Sequence, residues 1–240
     1  MILKPETIEK TCLEQAIFEQ YLSLDNQSIL ELGCGDARLT RLIALTGENR
    51  SVTAAEVDTI QHEKNFQIND LPNVKFIMSG SEKIPVDDNS FDVVFMFKSL
   101  HHVPLDKMDQ AFAEVSRVLK PSGLVYISEP IFEGEFNEVL RLFHDEERVR
   151  QVAFNHIVKA VDEKQFSLVE ELFFNTPIVF ESFEFYAEKV IAVTHSQHRL
   201  SAELYEQVER KFGQFFAVNG GEFKIPIRVD ILQNNKGKVV

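Results

Sequence analysis

The sequence predicts an α/β fold of the doubly wound kind, with helices covering both faces of a mostly parallel sheet. Three observations carry this. Residues Ile29 to Arg38, ILELGCGDAR, read as a short apolar strand, a glycine-rich turn and the start of an amphipathic helix. A second strand, SVTAAEVD, follows and places an acidic side chain, Glu56, 21 residues after Gly35. Asp92 to Phe97 is an almost unbroken apolar run, the pattern of a central parallel strand buried on both faces.

In chain order, Pro5 to Leu24 has apolar residues at Ile8, Leu13, Ile17, Phe18 and Tyr21, a spacing that predicts an amphipathic helix ahead of the first strand. Asp36 stands where the next helix begins and offers it a cap; Leu39, Leu42, Ile43 and Leu45 give that helix a buried face, and Gly47 ends it. A helix is expected over 59–69, with Pro72 and Asn73 marking the turn before strand VKFIM. Asp106 to Lys120 reads as a helix with Met108, Phe112, Val115, Val118 and Leu119 toward the sheet, stopped by Pro121-Ser122-Gly123. GLVYISEP is the next strand. Beyond it, Glu135 to Val161 is predominantly helical and Ser167 to Phe174 reads as a strand. Glu181 to Val193 and Ser201 to Phe216 read as two helices, and GEFKIPIRVDIL alternates as the last strand, so the two helices interrupt the terminal hairpin.

The turn carries the chemistry. Gly33 and Gly35 lack a β-carbon, so a ligand can lie directly on the backbone, which suits a nucleotide-like cofactor. The dinucleotide fingerprint G-x-G-x-x-G stops at two glycines because Arg38 occupies the third position. That weakens a pyrophosphate ligand and, with it, a nicotinamide-dependent dehydrogenase. Glu31, at the carboxyl end of the strand, suits a cationic ligand better. Glu56, followed by Val57, stands where doubly wound folds place a carboxylate on ribose hydroxyls, about 20 residues past the glycines.

With E-x-G-x-G before it and Glu56 after it, the region resembles the class I S-adenosylmethionine-dependent methyltransferases. The segments FDVVFMFKSLHHV and VSRVLKPSGLVYISEP look like the small-molecule "type 11" branch of that family, and the resemblance covers roughly 29–130. It implies a seven-stranded, mostly parallel sheet with an antiparallel last strand and a helical cap, carrying S-adenosyl-L-methionine. The implied organisation is an N-terminal helical cover over 1–27, a cofactor-binding core over 28–133, and a C-terminal part over 134–240 with the cap at about 181–217.

The implied cofactor-binding residues are Glu31, Gly33, Gly35, Glu56, Val57, Gly80, Ser81, Phe97 and Lys98. Gly80 stands where relatives usually carry an aspartate for the adenine amino group; its own carbonyl or the Ser81 hydroxyl is the expected substitute. His101 and Glu129 are the catalytic candidates, at strand ends where α/β sheets bind ligands. For the His101-His102 pair a packing or loop-ordering role competes, for Lys98 a solvated side chain, and for Glu129 the capping of a loop. The cap brings Phe183, Phe185, Tyr186, Phe212, Phe215 and Phe216, which read either as core or as the lining of an aromatic cleft.

Composition narrows the function classes. The 240 residues suffice for one large domain or one domain with an elaboration. Net charge is −13, with 38 acidic against 25 basic side chains and no Lys/Arg-rich run, which disfavours nucleic acid as a partner. Two cysteines, Cys12 and Cys34, imply no disulfide framework, and no C-x-x-C spacing suggests a metal. The opening MILKPETIEK has charges where a signal peptide needs an apolar core, and no apolar run approaches the roughly 20 residues needed to span a bilayer. The expectation is a cytoplasmic enzyme acting on a small-molecule acceptor, its oligomeric state left open. The alternatives are a cofactor-binding regulatory or scaffold protein without turnover, or an enzyme that methylates protein or RNA.

Overall fold

The computed structural model describes residues 1–192 and 199–237. Its centre is one sheet of seven strands: β1 (Ser28–Leu32), β2 (Ser51–Glu56), β3 (Val74–Met78), β4 (Phe91–Phe97), β5 (Leu119–Pro130), β6 (Phe166–Val179) and β7 (Glu222–Asn234). They lie in the order β3-β2-β1-β4-β5-β7-β6. Pairing is parallel from β3 through β5, while β7 runs antiparallel to both β5 and β6. The strand order reverses between β1 and β4, and at such a switch point the connections leave in opposite directions and open a crevice at the carboxyl ends of the strands.

The helices are α1 (Glu14–Tyr21), α2 (Arg38–Leu45), α3 (Thr59–Asn65), α4 (Met108–Val118), α5 (Glu135–Leu140), α6 (Glu147–Asp162), α7 (Phe183–Tyr186) and α8 (Ala202–Asn219). Alternation along the central strands supplies two cores from one apolar run. Leu30, Leu32, Val94, Met96, Val125 and Ile127 pack with buried residues of α4 and α6. Ile29, Val93, Phe95, Phe97 and Tyr126 pack with α1 and α2. Phe18 of α1 meets Phe95 edge-on at 5.4 Å and lies 5.7 Å from Phe97. Burying such a ring contributes about 1.5–3 kcal/mol.

Several elements differ from the sequence expectation. The N-terminal helix is Glu14–Tyr21, not Pro5 to Leu24; Leu13 and Tyr21 are exposed, and residues ahead of it run along β6, where Cys12 N donates to Asn175 O. Edge pairing offers that segment backbone partners that an isolated short helix would lack. In α2 Leu45 is exposed rather than buried. α3 stops at Asn65, short of residue 69. α4 ends at Val118, and β5 begins at Leu119 with a register shift opposite Phe91 and Val93. The helical stretch after Glu135 breaks between Leu140 and Glu147, where Asp145 Oδ1 accepts from Glu147 N. β6 is longer than foreseen, reaching Val179.

The two cap helices do lie between β6 and β7. α7 is short and continues as a π-helical turn over Ala187–Ile191, and Val193, the expected end of that helix, lies outside the described residues. The cap aromatics form a core of their own. Phe180, Phe183, Tyr186, Phe212 and Phe223 are buried together with Val139, and Phe215 and Phe216 pack against them. Of the two readings of that phenylalanine stripe, the structure selects core for all but Phe185, which is exposed.

Candidate active site

At the carboxyl end of β1 the chain turns on Gly33 (φ +74°) and Gly35 (φ +53°), backbone values that favour glycine. The two glycines act differently. A β-carbon on Gly33 would stand 2.6 Å from the Ser99 β-carbon, so this position lets the loop after β4 pass against the turn. Beside Gly35 there is nothing within 4 Å, which leaves the backbone open to a ligand. Glu56 closes the turn from the end of β2. Its Oε2 accepts from Gly35 N at 2.7 Å, and its Oε1 accepts from Val57 N at 2.8 Å and Asp58 N at 2.9 Å. A carboxylate has about four acceptor directions, so capacity remains for a ligand hydroxyl. Val57 itself is exposed beside this carboxylate.

Glu31 is buried one residue before Leu32, and its Oε2 accepts from Thr40 Oγ1 at 2.6 Å. Burial pushes its carboxyl up to about 8, against the lowering pull of Thr40 and Lys98. It is therefore mostly neutral at pH 7, and a cation placed near it would favour the carboxylate.

Gly80 and Ser81 follow β3. The Gly80 carbonyl already lies 2.8 Å from Ser79 Oγ, a hydroxyl also 3.0 Å from Lys83 O. The Glu82 carboxylate folds back over Gly80 into the space that a β-carbon there would fill. An acid thus stands at the place where position 80 lacks one. Position 80 by itself does not show this in the sequence, because the acid comes from a side chain two residues on that turns back.

After β4, Phe97 turns its ring into the core, stacked on Phe95 at 4.8 Å. Lys98 adopts φ +53°, and its Nζ donates to Glu14 Oε2 at 2.9 Å; Tyr126 Oη donates to the other oxygen of Glu14 at 3.4 Å. Ser99 Oγ donates to Leu32 O at 2.7 Å, which fixes this loop to the glycine turn. A 3-10 turn over Leu100–His102 follows.

That turn carries His101 into a buried ionic chain. Its Nδ1 bonds the Glu129 carboxylate, and its Nε2 lies 3.4 Å from Glu146 Oε1. Glu129 Oε1 also accepts from Leu100 N at 3.0 Å. Burial alone would lower the His101 pKa, but the two carboxylates outweigh it and raise it to about 9. Burial works to raise both glutamates, yet His101 helped by Arg228 holds Glu129 low, and His101 helped by Arg150 and His144 holds Glu146 low. Arg150 donates to Glu146 Oε2 at 2.6 Å and to Asn137 Oδ1 at 3.2 Å, and His144 Nε2 lies 2.8 Å from Glu146 Oε1.

His101 borders a cavity of about 300 Å³ that is also lined by Lys98, His102, Asn137, Glu146 and Arg150. Lys189 and Val190 reach it from the cap. Glu129 stands behind His101, outside the lining, so it meets the cavity only through the imidazole. Glu14, Glu82, Asn137, Glu146 and Arg150 were not singled out from the sequence; no motif marks them, and helical pattern alone reads them as ordinary polar positions.

Residues 30–127 match the family described as "Methyltransferase domain". Over this stretch the chain is similar to class I, S-adenosylmethionine-dependent methyltransferase domains. The ubiquinone/menaquinone biosynthesis C-methyltransferase UbiE of Psychromonas ingrahamii is 34% identical over 127 residues, covering 50% of this chain and 48% of that protein. The chain thus spans about half the length of the curated relatives it matches. The fold matches the YcgJ protein of Bacillus subtilis with a TM-score of 0.64 at 16% identity, over 93% of this chain and 98% of that one. It also matches the [4+2]-cyclase SpnF with a TM-score of 0.55 at 17% identity, over 93% of this chain and 80% of that one.

The methyltransferase domain implies S-adenosylmethionine, and its residues fit that group. The space beside Gly35 admits a ligand against the backbone, and Glu56 retains acceptor capacity at the same turn. Glu31 is a buried carboxyl poised to ionise beside a cation. The fold thus brings Glu31, Gly33, Gly35, Glu56 and Lys98 together at the switch point, with Gly80 and Ser81 at the end of β3 beside β2. Phe97 ends β4 beside them, with its ring in the core.

Proposed function

We propose that this chain transfers a methyl group from S-adenosylmethionine to a small, partly apolar acceptor by in-line displacement. The observation that carries this reading is the short loop after β4. Ser99 touches the glycine turn at one side, while Lys98 and His101 line a cavity of about 300 Å³ at the other. A cofactor turn and an acceptor-sized cavity separated by a single loop suit a reaction between two bound partners. The UbiE relatives are ubiquinone/menaquinone biosynthesis C-methyltransferases, which supports a small-molecule acceptor. The fold alone does not carry the reaction, since a cyclase shares it.

When bound, S-adenosylmethionine supplies a methyl group activated on a positively charged sulfur. Glu56 would hold the ribose hydroxyls, Glu31 would face the cationic end, and Glu82 would receive the adenine amino group. The open backbone at Gly35 permits close approach, and Gly33 shapes the turn against Ser99. Little covalent work falls to the protein, whose task is alignment and exclusion of water. His101 is the catalytic candidate that faces the acceptor. Glu129 is a positioning residue, because it fixes the imidazole from behind and keeps it charged. An imidazolium at this place orients an acceptor oxygen by donating a proton; it becomes a base only after its Nε2 proton has left.

Labelled S-adenosylmethionine offered with a cell extract tests the reading. Label is expected in the low-molecular-weight fraction. Incorporation confined to nuclease-sensitive material, or confined to protein, overturns the small-molecule acceptor. Cofactor binding with no incorporation in any fraction overturns turnover itself.

A further inference from the structure

We infer that the acceptor carries a carboxylate, which Arg150 and Asn137 receive at the buried wall of the cavity while Lys98 and Lys189 draw it in from the rim. Arg150 on α6 and Asn137 on α5 both line the cavity, and they are only 9% and 4% exposed. The two side chains are joined, since Arg150 Nη1 donates to Asn137 Oδ1 at 3.2 Å. That bond, and the one from Arg150 Nη2 to Glu146, leave over two N–H donors, Arg150 Nε and Asn137 Nδ2, which have no acceptor. Buried N–H groups in folded proteins are nearly always paired, so two orphans on neighbouring side chains of one cavity wall point to a ligand oxygen there.

The charge of the lining decides which kind of oxygen. The chain as a whole carries a net charge of −13, yet this cavity is bordered by the cations Lys98, His101, Arg150 and Lys189 and by the carboxylates Glu133 and Glu146. Both carboxylates are already engaged. Glu133 meets Lys4 at 2.8 Å, and Glu146 accepts from Arg150 and lies against His101 and His144. The acids that pair Lys98, His101 and Lys189, namely Glu14, Glu129 and Glu188, do not line the cavity. A wall of this sign draws anions toward it and favours the ionised form of an acid. A neutral carbonyl would satisfy the orphan N–H groups but would make no use of that charge. A carboxylate answers both, because its two oxygens offer about four acceptor directions and hydrogen bonds to a charged acceptor are the strong ones. Ile131, Phe136, Leu140 and Val190 supply apolar lining for the rest of the molecule.

The sequence hid this subsite because its parts come from four segments: Lys98 follows β4, Asn137 lies on α5, Arg150 on α6 and Lys189 in the cap. Exposure falls along that set. The side chains of Lys98 and Lys189 are 35% and 54% exposed, whereas Arg150 and Asn137 are buried, so positive charge leads from solvent inward. Calling the ligand the acceptor rests on the proposed methyl transfer, whereas carboxylate binding in the cavity does not.

The test is a titration of the full-length protein with benzoate, without cofactor, followed by NMR of isotope-labelled arginine Nε–H groups, with benzyl alcohol as the uncharged probe of similar size. One Nε–H signal, absent from Arg150→Lys, should shift saturably with benzoate and stay in place with benzyl alcohol. Asn137→Asp keeps an oxygen for Arg150 Nη1 but puts a negative charge where the donor was, and should weaken benzoate binding about tenfold or more. Lys189→Glu, at a half-exposed position of the cap, should weaken it about two- to fivefold, the size of an exposed charge contact. Circular dichroism checks that each variant is folded, and Lys189→Glu keeps the test sound if Asn137→Asp fails that check. No saturable shift with benzoate, equal affinity for benzyl alcohol, or an unchanged benzoate affinity in folded Asn137→Asp, or in Lys189→Glu where it stands alone, overturns the subsite. Methyl incorporation from labelled cofactor is read separately, so loss of the carboxylate subsite leaves the methyl-transfer reading in place.

Discussion

Lys98 and Glu14, 84 positions apart in sequence, meet at 2.9 Å and fasten α1 to the loop that divides the glycine turn from the cavity. Glu14 is almost fully buried, and Lys98 is about one-third exposed. Lys98→Met would leave a buried carboxylate with only Tyr126 for company. Removal of one partner from such a pair costs about 1–3 kcal/mol. Chemical denaturation of Lys98→Met should show a loss of this order, and the double variant with Glu14→Gln should lose less than the sum of the singles. Simple additivity would mean that the pair does not couple the two elements.

Glu56→Gln keeps the shape of a side chain that supports the turn and removes its charge. A charge-assisted hydrogen bond contributes about 1.5–3 kcal/mol, so the dissociation constant for S-adenosylmethionine should rise about tenfold or more. Calorimetry checks this, with circular dichroism to confirm the fold. An unchanged constant would remove Glu56 from the cofactor site and turn attention to Asp58.

The two glycines should fail in different ways. Gly33→Ala places a β-carbon 2.6 Å from that of Ser99 and should lower the melting temperature. Gly35→Ala meets no protein atom within 4 Å, so its structural cost is confined to a left-handed backbone, about 1–2 kcal/mol. Its main effect should be loss of cofactor affinity, because the new methyl group intrudes on the space reserved for the ligand. Unaltered binding by Gly35→Ala would show that the ligand does not lie on this turn.

Glu31 should make cofactor binding release a proton. Burial raises its carboxyl from 4.5 to about 8, so at pH 7 it is mostly protonated in the free protein. A neighbouring cation favours the ionised form. Titrations at pH 7 in buffers of different ionisation enthalpy should report up to one proton released, and Glu31→Gln should abolish that release. Linkage fixes the sign for stability as well. Between pH 4.5 and about 8 the folded state holds more protons at Glu31 than the unfolded state does. The contribution of this residue to stability is therefore greatest below that window and is lost as pH rises through it. Glu31→Gln should flatten that part of the pH–stability curve, and a curve of unchanged slope would discard the assignment.

Whatever depends on neighbours along the chain was legible in the sequence. The glycine turn, Glu56 at the end of β2, the apolar run of β4 and the helical spacing of α4 are local patterns, because strand alternation, helix periodicity and glycine conformations act over a few residues. These local patterns, with the resemblance of several motifs in order and spacing, pointed to the sheet topology and the cofactor. Element ends were less legible: residues 5–13 have helical spacing, yet Ile8, Lys10 and Cys12 bond Asn175 of β6 instead of joining a helix.

The acceptor side of the site was decided by tertiary structure alone. His101 reads as a histidine at a strand end; only the break between α5 and α6 sets Glu146 and Arg150 against it. Glu129 reads as an acid at a strand end, and only burial behind His101 turns it from a candidate proton acceptor into a support. The cap phenylalanines read as core or cleft by spacing alone, and the packing of α7, α8 and β7 put all but Phe185 into a core. The physical reason is the same in each case. Desolvation, charge pairing and ring packing depend on which side chains from distant segments share one enclosed volume, and residue spacing along a chain does not encode that until the chain has folded.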